Sequence, residues 1–360
     1  MTRPVRAHIN LGALQHNYQL ARKAAPASRL MAVVKANAYG HGAVPVARAL
    51  QDADAFALAS VEEAVQLREA GVSAPLVLLE GVFDAADLAV ATEYALQPVV
   101  HSLEQADWMA QAPAAASLHL WLKVDTGMHR LGVSPQQAGA VHRRLAALVE
   151  VGGGSVRLMS HLACADEPQH AANDAQLTTF KSLDIPAVER SLANSAALLT
   201  RPDMHFDWVR PGIMLYGASP FAVTADRQTD LQPVMTLESQ LIAVYPRNQG
   251  ESIGYGQAWT CPTAMPVGVA ACGYGDGYPR HAPAGTPVLV NGREVPLIGR
   301  VSMDMICVDL RSQPRARPGD PVQLWGAGLP VEAVAAHAGT INYELLCNVS
   351  ARVPREYSDG

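Results

Sequence analysis

The feature that most restricts this chain is a rhythm. Eight short apolar runs recur in the first two-thirds: Leu30–Lys35, Ala55–Ser60, Pro75–Gly81, Leu96–Ser102, Leu118–Gly127, Val156–His161, Ala187–Asn194 and Phe206–Tyr216. Amphipathic segments with helix-start chemistry lie between them. Ser60 with Glu63 and Ser102 with Gln105 read as capping boxes, and Ser134 precedes Pro135, a favoured first helical residue. Eight strands separated by helices predict an α/β chain whose N-terminal part is a (β/α)8 TIM-like barrel. The rival, an open doubly wound sheet, is weakened because no GxGxxG follows the first strand.

The rhythm changes near Leu231. Beyond it, strand-like runs are joined by short links, and Val288–Ile298 reads as a hairpin turning on Asn291-Gly292. One clear helix remains, around Val331–Ala338. The expected division is residues 1–230 as barrel and 231–360 as a mostly-β C-terminal domain.

Bulk properties remove several function classes. Net charge is −6 and no Lys/Arg run stands out, which argues against nucleic acid or an acidic membrane as partner. The uncharged stretch Ser252–Gly275 is broken by Pro, Gly, Thr and Gln and is not read as a membrane span. Five scattered cysteines without a CxxC pair argue against a disulfide framework and a structural metal site. Free thiols in a reducing compartment are the simpler reading, and the beginning of the chain has no apolar signal segment. The expected location is the cytoplasm.

In a barrel, groups at the C-terminal strand ends face the active-site mouth. Lys35 closes the first run, and a desolvated amine can form a Schiff base with an aldehyde. On spacing alone a surface lysine is the better reading. Trp121–Val133 begins as a strand and ends in a glycine-marked turn bracketed by Lys123 and Arg130; a guanidinium there suits a carboxylate or a phenolic oxygen, or equally a salt bridge with Asp125. His161 closes the sixth run, where a structural role is commoner. The Asn194-Ser195 pair stands at a strand-to-helix junction that suits phosphate or a plain N-cap. Tyr255 lies between two glycines, as turn tyrosines do. Met303 reads as core and Gly273–Gly277 as a turn.

A resemblance changes these weights. The string Ala32-Val-Val-Lys-Ala-Asn-Ala-Tyr-Gly-His-Gly42 resembles the cofactor-attachment motif of the alanine racemase family. Lys123-Val-Asp-Thr-Gly-Met-His-Arg-Leu-Gly132 and Val209-Arg-Pro-Gly-Ile-Met-Leu-Tyr-Gly217 resemble two more of its motifs, and the likeness runs from about residue 3 to 355. It implies a pyridoxal-phosphate-dependent isomerase that interconverts L- and D-alanine by a two-base proton transfer at Cα of the cofactor-bound amino acid. By this resemblance Lys35 holds pyridoxal 5'-phosphate. Tyr39, Asn194, Ser195, Gly212, Ile213 and Tyr343 lie at or near its phosphate. Arg210 faces the pyridine nitrogen and His161 stands beside the ring. Arg130 and the Met303 backbone N–H bind the substrate carboxylate, and Lys123 carries a carbamate in many members. Tyr255 is the second base, supplied by the partner subunit of a homodimer, with Tyr274 and Tyr343 at the entrance.

An arginine opposite the pyridine nitrogen keeps that nitrogen unprotonated. The ring then withdraws electrons weakly, which suits a racemase. The alternatives are a broader or serine-preferring racemase, an amino-acid decarboxylase, and a non-enzymatic pyridoxal-phosphate carrier. Arg210 argues against the decarboxylase. A carrier resembles this chain only in the barrel and lacks a β domain bearing Tyr255.

Overall fold

The structure is a computed structural model describing residues 3–185, 188–222 and 230–359. After a first strand, β1 (Arg6–Asn10), eight strands form a closed parallel barrel. They are β2 (Arg29–Val33), β3 (Ala55–Leu58), β4 (Leu76–Leu78), β5 (Gln97–Val100), β6 (His119–Lys123), β7 (Ser155–Met159), β8 (Arg190–Ser191) and β9 (Trp208–Val209), with β9 returning to pair with β2. Each expected apolar run holds one of them. Of the seventh run, Ala187 lies outside the described residues. Strands β3, β4 and β5 are buried along their whole length, as parallel strands covered on both faces must be.

The second unit is an eight-stranded sheet. Its longest strand is β10 (Met235–Arg247), and the hairpin falls where expected: Pro287–Val290 pairs antiparallel with Arg293–Ile298. Asn291 and Gly292 both have positive φ, 52° and 72°, the conformation a two-residue type I′ turn requires. The helix Val331–Ala338 is also present.

Three details depart from the sequence reading. First, β1 pairs with β10 on one side and with Arg355–Ser358 on the other, so the chain's first strand belongs to the β sheet. A cut at 230/231 therefore does not separate the two packing units, and the segment 223–229 just before it lies outside the described residues. Second, a further helix, Asn342–Cys347, was not expected; at six residues it is too short to show helical periodicity. Third, Ser60 starts its helix without a side-chain cap bond. The Glu63 carboxylate instead accepts the N–H groups of Ala36 and Ala59. The Ser102 cap does form, and Ser134 makes a full capping box with Gln137.

Directly after β2 the backbone turns left-handed. Ala36, Asn37, Ala38 and Tyr39 all have φ between 51° and 55°. Such a conformation costs an L-residue about 1–2 kcal/mol. Ties from around the turn offset it: Ala38 N–H to Val34 O at 2.8 Å, Ala43 N–H to Asn37 Oδ1 at 2.8 Å, and Arg355 Nε to Gly40 O at 2.7 Å. Tyr357 Oη also donates to His41 O. The last strand of the β unit thus clamps the loop that follows Lys35.

Candidate active site

A cavity of about 620 Å3 opens at the C-terminal ends of the barrel strands. Strand ends supply most of its wall: Lys35 after β2, Glu80 after β4, Lys123 at the end of β6, His161 after β7, Asn194 and Ser195 after β8, and Arg210, Gly212 and Ile213 after β9. Tyr39 comes from the left-handed turn, Arg130 from the loop after β6, and Tyr343 from the short helix of the β unit.

Arg210 is buried, and both of its terminal nitrogens are hydrogen-bonded. Its Nη1 donates to Ser191 Oγ at 2.6 Å, and its Nη2 to Ser160 O at 2.6 Å and Leu192 O at 3.2 Å. Nη2 also lies 3.3 Å from His161 Nδ1. A guanidinium only donates, so Nδ1 accepts and a neutral imidazole carries its proton on Nε2. Desolvation, with Arg210 and nearby lysines adding to it, holds His161 well below the usual histidine range. Burial pushes the Arg210 guanidinium down to about 10, leaving it a cation at neutral pH.

Lys123 is buried. Desolvation, with the neighbouring Arg210, Arg130 and Lys35, pushes its amine down to about 8. Asp125 is not paired with Lys123 or Arg130. Its Oδ1 accepts N–H bonds from Gly127, Met128 and His129, and its other oxygen faces His129. The aspartate holds a turn, and the salt bridge considered for Arg130 is not formed.

At the other end of the cavity Ser195 Oγ accepts the Gly212 N–H at 2.8 Å, and Asn194 caps the helix Ser195–Thr200 through Ala197 N–H. Tyr39 stacks on Tyr216 with ring centroids 4.8 Å apart, and Tyr343 lies 6.0 Å from Tyr39. Burial drives the Tyr39 and Tyr343 phenols above their ordinary range, so both remain protonated.

Tyr255, Tyr274 and Met303 do not line this cavity in the single chain. They are exposed, Tyr255 by 66%. Hydrogen bonds link two of their segments: Tyr274 N–H donates to Ser302 O and Gly275 N–H to Met303 O. The turn holding Tyr255 packs on the next residues, since Gly254 and Gly256 both approach Arg300. The buried Asp276 carboxylate fixes this face. It pairs with Arg3, accepts Arg352 Nε at 2.8 Å and accepts Gly273 N–H at 2.9 Å.

Sequence reasoning missed Glu80 and Cys347 in the wall and Glu63 behind it. Glu80 could have been found, because it ends an apolar run as Lys35 does. Cys347 sits on the helix that was not expected.

The chain matches the sequence models for the alanine racemase N-terminal domain over residues 9–220 and for the alanine racemase C-terminal domain over 234–357. It belongs to the alanine racemase family. An alanine racemase of Nitrosococcus oceani is 55% identical over 349 residues, 97% of this chain and 98% of that protein. The biosynthetic alanine racemase of Pseudomonas aeruginosa is 51% identical over 358 residues, 99% of each. The crystal structure of a biosynthetic alanine racemase from that organism superposes with a TM-score of 0.95 at 50% identity, covering 99% of this chain and 100% of that one. A racemase structure from Bartonella henselae described with covalently bound pyridoxal phosphate gives 0.90 at 30% identity, covering 99% and 100%. The alanine racemase fold is therefore carried by the whole of the described chain, barrel and β unit together.

Proposed function

We propose that this protein interconverts L- and D-alanine with pyridoxal 5'-phosphate, as a homodimer in the cytoplasm whose active sites each need Tyr255 from the second copy. The observation that carries the reading is one cavity holding Lys35, a buried Arg210 and the Ser195–Gly212 cradle, in a chain that belongs to the family over both of its parts.

The residues present fit the cofactor. A Cβ at Gly212 would stand 2.8 Å from the Tyr39 hydroxyl, so this wall is closely shaped around small groups. Ser195, Asn194, Gly212, Ile213, Tyr39 and Tyr343 would hold the phosphate, with Arg210 toward the ring nitrogen and His161 beside it. When bound, pyridoxal phosphate supplies an aldehyde for the substrate amine and an electron-accepting ring that acidifies Cα–H.

The chain's own groups do the rest. Arg130 and the Met303 N–H orient the substrate carboxylate. Lys35 takes or returns the proton on one face of Cα, and the Tyr255 phenol does so on the other. Arg210 keeps its proton at neutral pH, so the group toward the ring nitrogen is a cation and not a carboxylate, which disfavours a decarboxylase. Lys123, with its amine lowered to about 8, has a larger share of the neutral form that carbamate formation needs than an ordinary lysine, and a carbamate there would steer Arg130. Tyr274 and Tyr343 narrow the entrance and favour a small side chain. The free cysteines support a reducing compartment, and no helix among the described residues is long and apolar enough to cross a membrane.

A chiral assay tests the reading. Purified protein with added cofactor should bring either alanine isomer to an equal mixture, with serine slower. Tyr255→Phe should abolish racemisation while cofactor still binds, and Lys35→Ala should remove the absorbance of the bound cofactor. Faster turnover of serine than alanine would shift the substrate assignment. Retained racemisation in Tyr255→Phe would remove the two-base scheme.

A further inference from the structure

We propose that Glu63 is a positioning residue for Lys35, its carboxylate clamping the left-handed turn that starts immediately after the lysine. The proposal deepens the racemase reading and rests on it for the role of the amine.

The geometry is specific to a carboxylate. Glu63 Oε1 accepts the Ala36 N–H at 2.7 Å, and Oε2 accepts the Ala59 N–H at 2.9 Å. Ala36 directly follows Lys35 and is the first of four residues with positive φ. Ala59 directly follows the end of β3. One side chain thus ties the C-terminal ends of two neighbouring barrel strands.

The sequence position of Glu63 suits a different job. It stands three residues after Ser60, where a capping box would send its carboxylate to the Ser60 N–H. It does not go there, and Ser60 makes no side-chain cap bond. Both oxygens serve the strand ends. Later residues of the turn have carbonyl partners within it: Ala38 N–H reaches Val34 O, and Gly40 N–H reaches Ala36 O. The Ala36 N–H has Glu63.

The peptide joining Lys35 to Ala36 is where the backbone leaves the strand for the left-handed region. Rotation of that peptide re-aims the lysine side chain from its root. An amine that must meet one face of a reacting carbon loses efficiency steeply with displacement, by up to about a hundred-fold for a shift near 1 Å. A clamp at this peptide therefore acts on catalysis without touching substrate.

Two oxygens for two donors also make the test sharp. Glutamine has one acceptor oxygen, so Glu63→Gln leaves one N–H facing an amide NH2. Aspartate keeps the charge but is too short to span both donors. We expect the cofactor-loaded Glu63→Gln protein to exchange the Ala36 amide about ten-fold faster or more. Its kcat in both directions should fall by about ten- to a hundred-fold, with KM for alanine changed by less than about two-fold. The visible circular dichroism of the bound cofactor should change with them. Glu63→Asp should give the same signs and replaces the glutamine variant if that does not fold. Glu62→Gln, at the exposed neighbour, should match the parent. A lower melting temperature with Ala36 exchange and kcat unchanged would overturn the proposal, leaving Glu63 a structural residue only. If the parent does not racemise alanine the functional reading fails, while the Ala36 exchange rates still decide whether Glu63 is the clamp.

Discussion

A methyl group on Gly212 would stand 2.8 Å from the Tyr39 hydroxyl and 3.5 Å from the carbon bearing it. The backbone there has φ −120°, outside the left-handed region, and Gly212→Ala would set its methyl against the phenol. Its cost falls on the cradle, because Tyr39 must move. We expect cofactor affinity to drop by about ten-fold, near 1.4 kcal/mol. A spectrophotometric titration of the cofactor-free protein measures it. Lys35, Lys123, His161, Ser195 and Arg210 were legible through the family resemblance, and each ends a barrel strand or follows one closely, so the barrel turns that position into an address. Glu63 was not. Its spacing from Ser60 gave a complete local explanation, while its true partner, Ala36, is distant in sequence and became a neighbour only when β2 and β3 paired.

Elements meet at the N-terminal side of the barrel through one carboxylate. Glu189 pairs with Arg29 of β2, accepts Arg157 Nε of β7 at 2.7 Å and accepts Trp208 Nε1 of β9 at 2.9 Å. Partial desolvation works to raise its pKa, but hydrogen bonds from Arg29 and Trp208 and the charge of Arg157 hold it down at about 2. A carboxylate held down in the folded state stabilises it fully above the ordinary glutamate range. That contribution is lost as pH falls from there through about 2. Glu189→Gln should therefore melt a few degrees below the parent at neutral pH, and the gap should close on acidification. Thermal melts at several pH values check this; a gap that stays constant into acid would assign the effect to packing. The sequence showed strands and turns well where local chemistry decides them, as at Asn291-Gly292. It could not show that β8 and β9 shrink to two residues each, since their apolar runs extend into loops that close the barrel.

At the scale of the molecule, the two parts of the chain are stitched rather than strung. Strand β1 lies in the β sheet, Arg355 and Tyr357 reach back to the loop after Lys35, and Tyr343 completes the cavity wall. Neither the place of β1 nor these returns could be read locally, because pairing across most of the chain leaves no mark in a sequence window. What the single chain does not assemble is equally informative. Tyr255, Met303 and Tyr274 share an exposed face away from the cavity that holds Lys35. Two-fold symmetry would let each copy lend that face to the other. Mixing two inactive variants separates shared sites from self-contained ones. A hybrid of one Lys35→Ala chain and one Tyr255→Phe chain has one site with both defects and one with neither, if the tyrosine crosses between subunits. After random reassortment the mixture should regain about a quarter of the parent's activity, although each variant alone is inactive. If lysine and tyrosine of the same chain work together, every site in the hybrid keeps one defect and no activity returns.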